Sequence, residues 1–206
     1  MQTDLFASTS PASSYPIVPG LGFKSDFISA EMEAELIAEI GKINLPHFSF
    51  QGWTARRRTR SFGWLYDFNN SNFGPTEPIP GFLLSLRLLM AGFAGVAADN
   101  LVQVSLIHYA PGAGIGWHKD RPELDAVIGV SLGSAATMRF RRRVGSRFDR
   151  ATILLPPRSV YHLDGEVRHA WEHSIAPGTA DRWSITFRGL SESGRRRSAA
   201  HVDTLP

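Results

Sequence analysis

Hydrophobic positions divide the chain into two textures. Before residue 100 they recur at helical spacing: Met32, Leu36, Ile37 and Ile40 fall three or four apart behind Ser29, which is suited to cap a helix ending near Gly41. The run 81–98 is apolar nearly all round, which predicts a second helix lying deep against a sheet. From residue 101 onward short β-branched or alternating runs are separated by Gly, Pro and Asp, at 101–109, 127–132, 137–142, 151–155, 160–163, 173–175 and 182–188. Such runs predict a sandwich or jelly-roll barrel. The expected fold class is α+β, a jelly-roll core with N-terminal helices packed outside it.

The two ends lack a period. Residues 1–20, rich in Ser, Thr, Pro and Ala, read as a flexible arm, and residues 194–206 as a flexible basic tail, leaving 21–193 as one domain. The start of the chain has neither the basic residues nor the apolar stretch of a secretory signal, and no segment approaches a membrane span. The chain has no cysteine, which excludes disulfide frameworks, Cys–zinc modules and thiol catalysis. A cytoplasmic monomer without a membrane partner is the expectation. Nineteen of the 22 basic residues are arginine, a side chain whose planar fork suits carboxylates and phosphates.

The sharpest local signal is His118-Lys119-Asp120. In extended backbone His118 and Asp120 project from one face about 7 Å apart, where a single cation can meet both. A third ligand must come from His162, His169, His173 or His201. His173, in a short strand-like piece about fifty residues on, is favoured because a barrel returns distant strands to one site; His169 is its main rival and His162 the next. Two imidazoles and one carboxylate with open positions form the facial triad of non-haem iron(II) oxygenases.

The run 182–188 alternates without a fault, with Arg182, Ser184, Thr186 and Arg188 on one face and Trp183, Ile185 and Phe187 on the other. Turned into a barrel, the polar face is a pocket with two guanidinium groups that demand anions. Their backbones stand about 20 Å apart, and side-chain reach leaves a gap near the length of a five-carbon dicarboxylate. 2-Oxoglutarate fits it, one end clamped by arginine and the other chelating iron.

Taken in order, 107–112, His118-Lys119-Asp120, 129–133, 173–175 and 182–188 resemble the AlkB family of 2-oxoglutarate- and iron(II)-dependent dioxygenases over roughly residues 100–190. The resemblance implies a double-stranded β-helix at 101–190, preceded at 21–100 by an extension carrying the substrate lid. It implies Fe(II), 2-oxoglutarate and O2, with His118, Asp120 and His173 as catalytic iron ligands. Arg182 is expected on the distal carboxylate with Tyr109, Arg188 near the iron end, and Ser184 in support on the same strand. The implied reaction is oxidative dealkylation of N-alkylated nucleobases in DNA or RNA, with release of succinate, CO2 and an aldehyde. Two positions depart from the pattern. Ile107 replaces an asparagine that bonds the co-substrate, and Pro122 replaces an acid that contacts the base, with Glu123 as its possible substitute.

Substrate residues are sought in Arg57 and Arg60, which lead into Phe62, Trp64 and Tyr66, together with Phe68, aromatics that share one face if the segment is extended. The buried face of an ordinary strand explains the aromatics equally well. A second arginine cluster, Arg139, Arg141, Arg142, Arg143, Arg147 and Arg150, reads as a basic hairpin able to track phosphates or simply solvated. Two other functions stay open: the same chemistry on a protein or small molecule, and a non-catalytic nucleic-acid-binding barrel.

Overall fold

The computed structural model describes residues 18–50, 52–67 and 71–202. In chain order its elements begin with β1 (Leu21–Lys24), α1 (Ala30–Gly41), β2 (His47–Phe50), β3 (Trp53–Phe62), β4 (Trp64–Tyr66), β5 (Phe73–Pro75) and α2 (Leu84–Ala94). The strand-rich half follows: β6 (Gln103–Tyr109), β7 (Ile115–His118), β8 (Leu124–Gly133), β9 (Ala136–Val144), β10 (Arg147–Leu155) and β11 (Val160–Leu163). It closes with α3 (Gly165–His169), β12 (Glu172–Ile175), β13 (Arg182–Leu190) and α4 (Glu192–Val202).

The strands form a major sheet ordered β1-β11-β8-β13-β6-β3-β2 and a minor sheet ordered β10-β9-β12-β7, with β4 and β5 as a separate hairpin. Every pairing is antiparallel, as a jelly roll requires. All seven expected runs are strands. The core is double. Ile185 and Phe187 of β13 join Leu86, Met90, Leu36 and Ile40 between the major sheet and the two helices. Met138, Phe140, Ile153, Leu155, Tyr161 and Trp171 fill the space between the sheets. The alternation read in β13 therefore separates two environments, and its polar face lines the interior.

Helix α1 starts as expected, with the Ser29 side chain accepting the Met32 amide at 3.2 Å. Helix α2 departs from expectation in length and depth. A 3-10 turn, Gly81–Leu83, precedes it, and Gly95 in left-handed conformation ends it. Leu86 and Met90 are buried, but Leu88 is 65% exposed and Leu84 and Leu89 about half exposed. A largely apolar helix on the outside of a sheet can bury only the stripe that meets the sheet.

Both end boundaries also shift. Residues 1–17 lie outside the described residues, but Val18 is buried in the inter-sheet core, and the Pro19 and Gly20 carbonyls accept amides of Val167 and Asp164. Those backbone bonds tie 18–20 into the fold. The expected tail is helical through Val202, because Ser191 starts a turn closed by the Arg195 amide and Arg197 pairs with the buried Glu123. At Gly194 the helix meets the Glu123 backbone so closely that a Cβ would lie 2.0 Å from its carbonyl oxygen. Among the described residues no helix is long and apolar enough to cross a membrane.

Candidate metal and dicarboxylate site

Pairing of β7 with β12 sets His118 directly opposite His173, with ring centroids 4.3 Å apart. Asp120 follows β7 by two residues, and ligand atoms of all three side chains lie within 4.8 Å of one another. His118 Nδ1 sits 2.9 Å from the Gly116 carbonyl, which accepts its N–H, so in the neutral ring the lone pair is on Nε2. His173 is buried, and burial pushes its imidazole down to about 4 despite the neighbouring Asp120. It is neutral at pH 7, the form that binds metal.

The two oxygens of Asp120 are divided between partners. Oδ1 accepts Arg188 Nε at 3.2 Å and lies 3.0 Å from Arg188 Nη2. Oδ2 is buried without a hydrogen-bond partner, 3.5 Å from His173 Nε2. Burial disfavours the charged carboxylate, but Arg188, His173 and His118 outweigh it and hold the group well below the usual range. An ionised buried oxygen facing two imidazoles is a cation site, and this hard-and-intermediate donor set fits Fe(II).

A buried polar cluster lies further along β13. Arg182, 3% exposed, donates Nε to Ser131 Oγ at 3.1 Å, while its Nη1 and Nη2 are buried without partners. Two buried guanidinium nitrogens without a protein partner need an anion, and the far carboxylate of a dicarboxylate answers both. Tyr109 stands opposite Arg182 on β6, its ring 4.9 Å from the guanidinium carbon. At the other end Arg188 Nη1 is held by Gln103, Ser105 and Thr186, which turns its fork toward Asp120. The residues present thus fit both an iron ion and 2-oxoglutarate.

Three further residues build the site and were not anticipated. Tyr161 on β11 packs into the space left by Gly129; a Cβ there would lie 2.2 Å from the Tyr161 ring. Burial pushes the Tyr161 hydroxyl up to about 12, so it stays a protonated donor; Ser184 and Arg182 lie close to it. The sequence signal was a glycine inside a strand. Ser131 positions Arg182 and is visible only through β8–β13 register. Arg168, 4% exposed on α3, donates to the carbonyls of Asp120, Arg121, Leu124 and Asp125, clamping the loop that carries the metal carboxylate. Main-chain acceptors leave no trace in side-chain patterns.

The rival ligands lie elsewhere. His169 is exposed on α3, where its carbonyl accepts Lys119 Nζ, and His162 lies on the outer face of the major sheet beside Gly22 and Phe93. The side chain of His201 is outside the described residues, as is Phe68.

The expected aromatic stripe is split. Gly63 adopts φ +79°, with a Cβ position 1.9 Å from the Val102 carbonyl oxygen, so the chain turns between Phe62 and Trp64 and alternation does not carry across. Phe62 is buried in the helix-side core, and Arg60 turns outward to Glu77 at 2.6 Å. Neither meets the site. Arg57 does face inward, stacked 4.0 Å from the Phe48 ring; burial lowers its basicity and nearby Tyr109 opposes that. Trp64 packs on Phe73 at 5.2 Å, and Tyr66 lies 3.8 Å beneath the Arg121 guanidinium, one residue from Asp120. Glu123 is 5% exposed and held by Arg121 and Arg197, so its carboxylate is already occupied and does not take the place Pro122 leaves open.

Residues 20–197 match the model of the 2OG-Fe(II) oxygenase superfamily. A mouse protein named tRNA (carboxymethyluridine(34)-5-O)-methyltransferase ALKBH8 is 30% identical over 182 residues, 83% of this chain and 26% of that protein. An Arabidopsis thaliana protein named alkylated DNA repair protein ALKBH8 homolog is 27% identical over 207 residues, 88% of this chain and 57% of its own length. The chain spans about a quarter of the length of the animal relatives it matches. The structure of OsALKBH1 superposes with a TM-score of 0.62 at 15% identity, covering 84% of this chain and 99% of that one, which is a likeness of fold.

Proposed function

Since the chain belongs to the 2OG-Fe(II) oxygenase superfamily and is an AlkB-like 2-oxoglutarate/Fe(II)-dependent dioxygenase, we propose that it oxidatively removes small alkyl groups from nucleobases in DNA or RNA. In this reading His118, Asp120 and His173 hold the iron. Arg182 grips the distal carboxylate of 2-oxoglutarate, with Tyr109 beside it and Ser184 in support, and Arg188 both orients Asp120 and stands by the carboxylate at the metal end. Bound iron with 2-oxoglutarate and O2 supplies an oxidant strong enough for an N-alkyl carbon, releasing succinate, CO2 and an aldehyde. The protein's own part is to keep His173 neutral, Asp120 charged, and water away from the pocket.

The observation carrying the substrate class is the Tyr66–Arg121 stack next to Asp120. Planar cation–aromatic surfaces at the edge of a pocket suit a flipped or unstacked base. Arg57 and Trp64 extend that wall in this reading, while Arg60 and Phe62 have no part in it. The names of the mouse and Arabidopsis relatives, which refer to tRNA and to DNA repair, support a nucleic-acid target.

A second reading, the same oxidation on a protein or small molecule, is favoured by one observation: the carboxylate of Glu123 is tied to Arg121 and Arg197 and offers no acceptor to a base. Incubating the Fe(II)-loaded enzyme with methylated oligonucleotides and methylated peptides, and assaying aldehyde, separates the two. Aldehyde from oligonucleotides alone supports dealkylation of nucleobases, and aldehyde from peptides alone replaces it with the second reading.

A further inference from the structure

The minor sheet has one face in the inter-sheet core and an opposite face that is less buried, as the alternating burial along β9 and β10 shows. Its open face is unusual in composition. Register places Trp117 of β7, Arg139 and Arg141 of β9, and Arg150 of β10 on it, with Phe148 opposite Arg143 at the hairpin end. Glu172, paired with Arg141 at 2.5 Å, is the carboxylate that shares this face. A merely solvated face would mix both signs of charge and spread its long side chains into water.

Here the guanidinium groups lie on rings instead. Arg139 and Arg141 stand 5.3 and 4.6 Å from the Trp117 ring, and Arg141, Arg143 and Arg150 stand 5.0, 5.8 and 5.6 Å from that of Phe148. Stacked arginines are held flat at little further entropic cost and present both charge and a planar surface. At the β7 edge the face runs into a cavity of about 330 Å³ lined by Arg56, Arg139, Ile115, Ile175 and Pro177, with no carboxylate in its wall.

Resting on the nucleic-acid reading of the active site, we propose that this open face is a docking surface for the single strand that flanks the reacting nucleotide. Guanidinium groups take its phosphates, and the stacked arginines with Trp117 and Phe148 take unpaired bases, the combination that single-stranded binding surfaces use. The cavity at Arg56 and Arg139 receives a phosphate. Trp117 and His118 point to opposite faces of β7, but β7 is the edge strand of the minor sheet, so a strand lying on the open face reaches the iron site by passing around that edge. An acidic peptide would satisfy the charges but leave the planar surfaces unused.

The test uses the full chain and a fluorescent, unmodified single-stranded RNA, with Kd measured between about 50 and 200 mM salt. Arg143→Glu/Arg150→Glu alters exposed positions outside the pocket; Lys24→Glu/Lys42→Glu makes the same change of net charge on the major-sheet side. The first variant should weaken binding about tenfold or more and lower the salt slope by about 1.4, while the second stays within about twofold of the parent. Uncoupled conversion of 2-oxoglutarate to succinate should be the same in all three proteins. Equal binding by parent and Arg143→Glu/Arg150→Glu, equal loss in both variants, or equally tight binding of a polyglutamate peptide would each overturn the proposal. Failure of the dealkylation reading shows separately, as RNA bound through this face while no methylated oligonucleotide yields aldehyde.

Discussion

Arg188 and His173 share Asp120 between them: the guanidinium takes Oδ1 and the imidazole lies 3.5 Å from Oδ2. The carboxylate is thus charged, oriented and left with one unpartnered buried oxygen. Such an oxygen costs stability unless something binds it, which is how a metal site differs from an ordinary buried ion pair.

Arg182 is the second group with unmet demand. Arg182→Lys keeps the charge and loses the fork, so the KM for 2-oxoglutarate should rise about tenfold or more with kcat much less affected. Ser131→Ala removes one neutral acceptor from the same guanidinium and should cost about 0.5–1.5 kcal/mol of co-substrate binding. Steady-state succinate formation reads both, and an unchanged KM in Arg182→Lys would move the dicarboxylate elsewhere.

Gly129 makes room for Tyr161. Gly129→Ala forces the ring away from Ser184 and Arg182, so the protein should lose about 1–3 kcal/mol of stability and bind 2-oxoglutarate more weakly. Adding Tyr161→Leu should recover much of the stability. Thermal unfolding with and without 2-oxoglutarate checks this, and a Gly129→Ala protein as stable as its parent would refute the close packing.

Arg168 acts on the site through the backbone. Arg168→Ala strips several buried carbonyls of their donor, for an expected loss of about 2–5 kcal/mol and a lower metal affinity. Arg168→Lys, with fewer donors, should restore part of both. If metal affinity stayed unchanged in a folded Arg168→Ala protein, the clamp would be structural alone.

Much of this was legible in the sequence because both halves of the site sit on regular strands. His118 and His173 meet through strand pairing, and the β13 alternation put its polar residues inside. Misreadings arose where one residue redirects the chain or where the partner is remote. Gly63 turns the chain and sends Phe62 to the helix-side core while Trp64 stays in the hairpin. Helix α2 is apolar nearly all round but has only one sheet to lie against, so Leu88 faces solvent. The basic run at 195–197 reads as a loose end until Glu123, more than seventy residues away, is seen to hold Arg197. Arg168 had no signature, since its acceptors belong to the backbone.

The central claim is that three distant side chains form one iron site. Anaerobic titration with Fe(II), followed by calorimetry on the parent, Asp120→Ala and His173→Ala proteins, tests it directly. One equivalent should bind the parent with high affinity, and affinity in either folded variant should fall at least about a hundredfold. Parent-like binding in both variants would contradict the account.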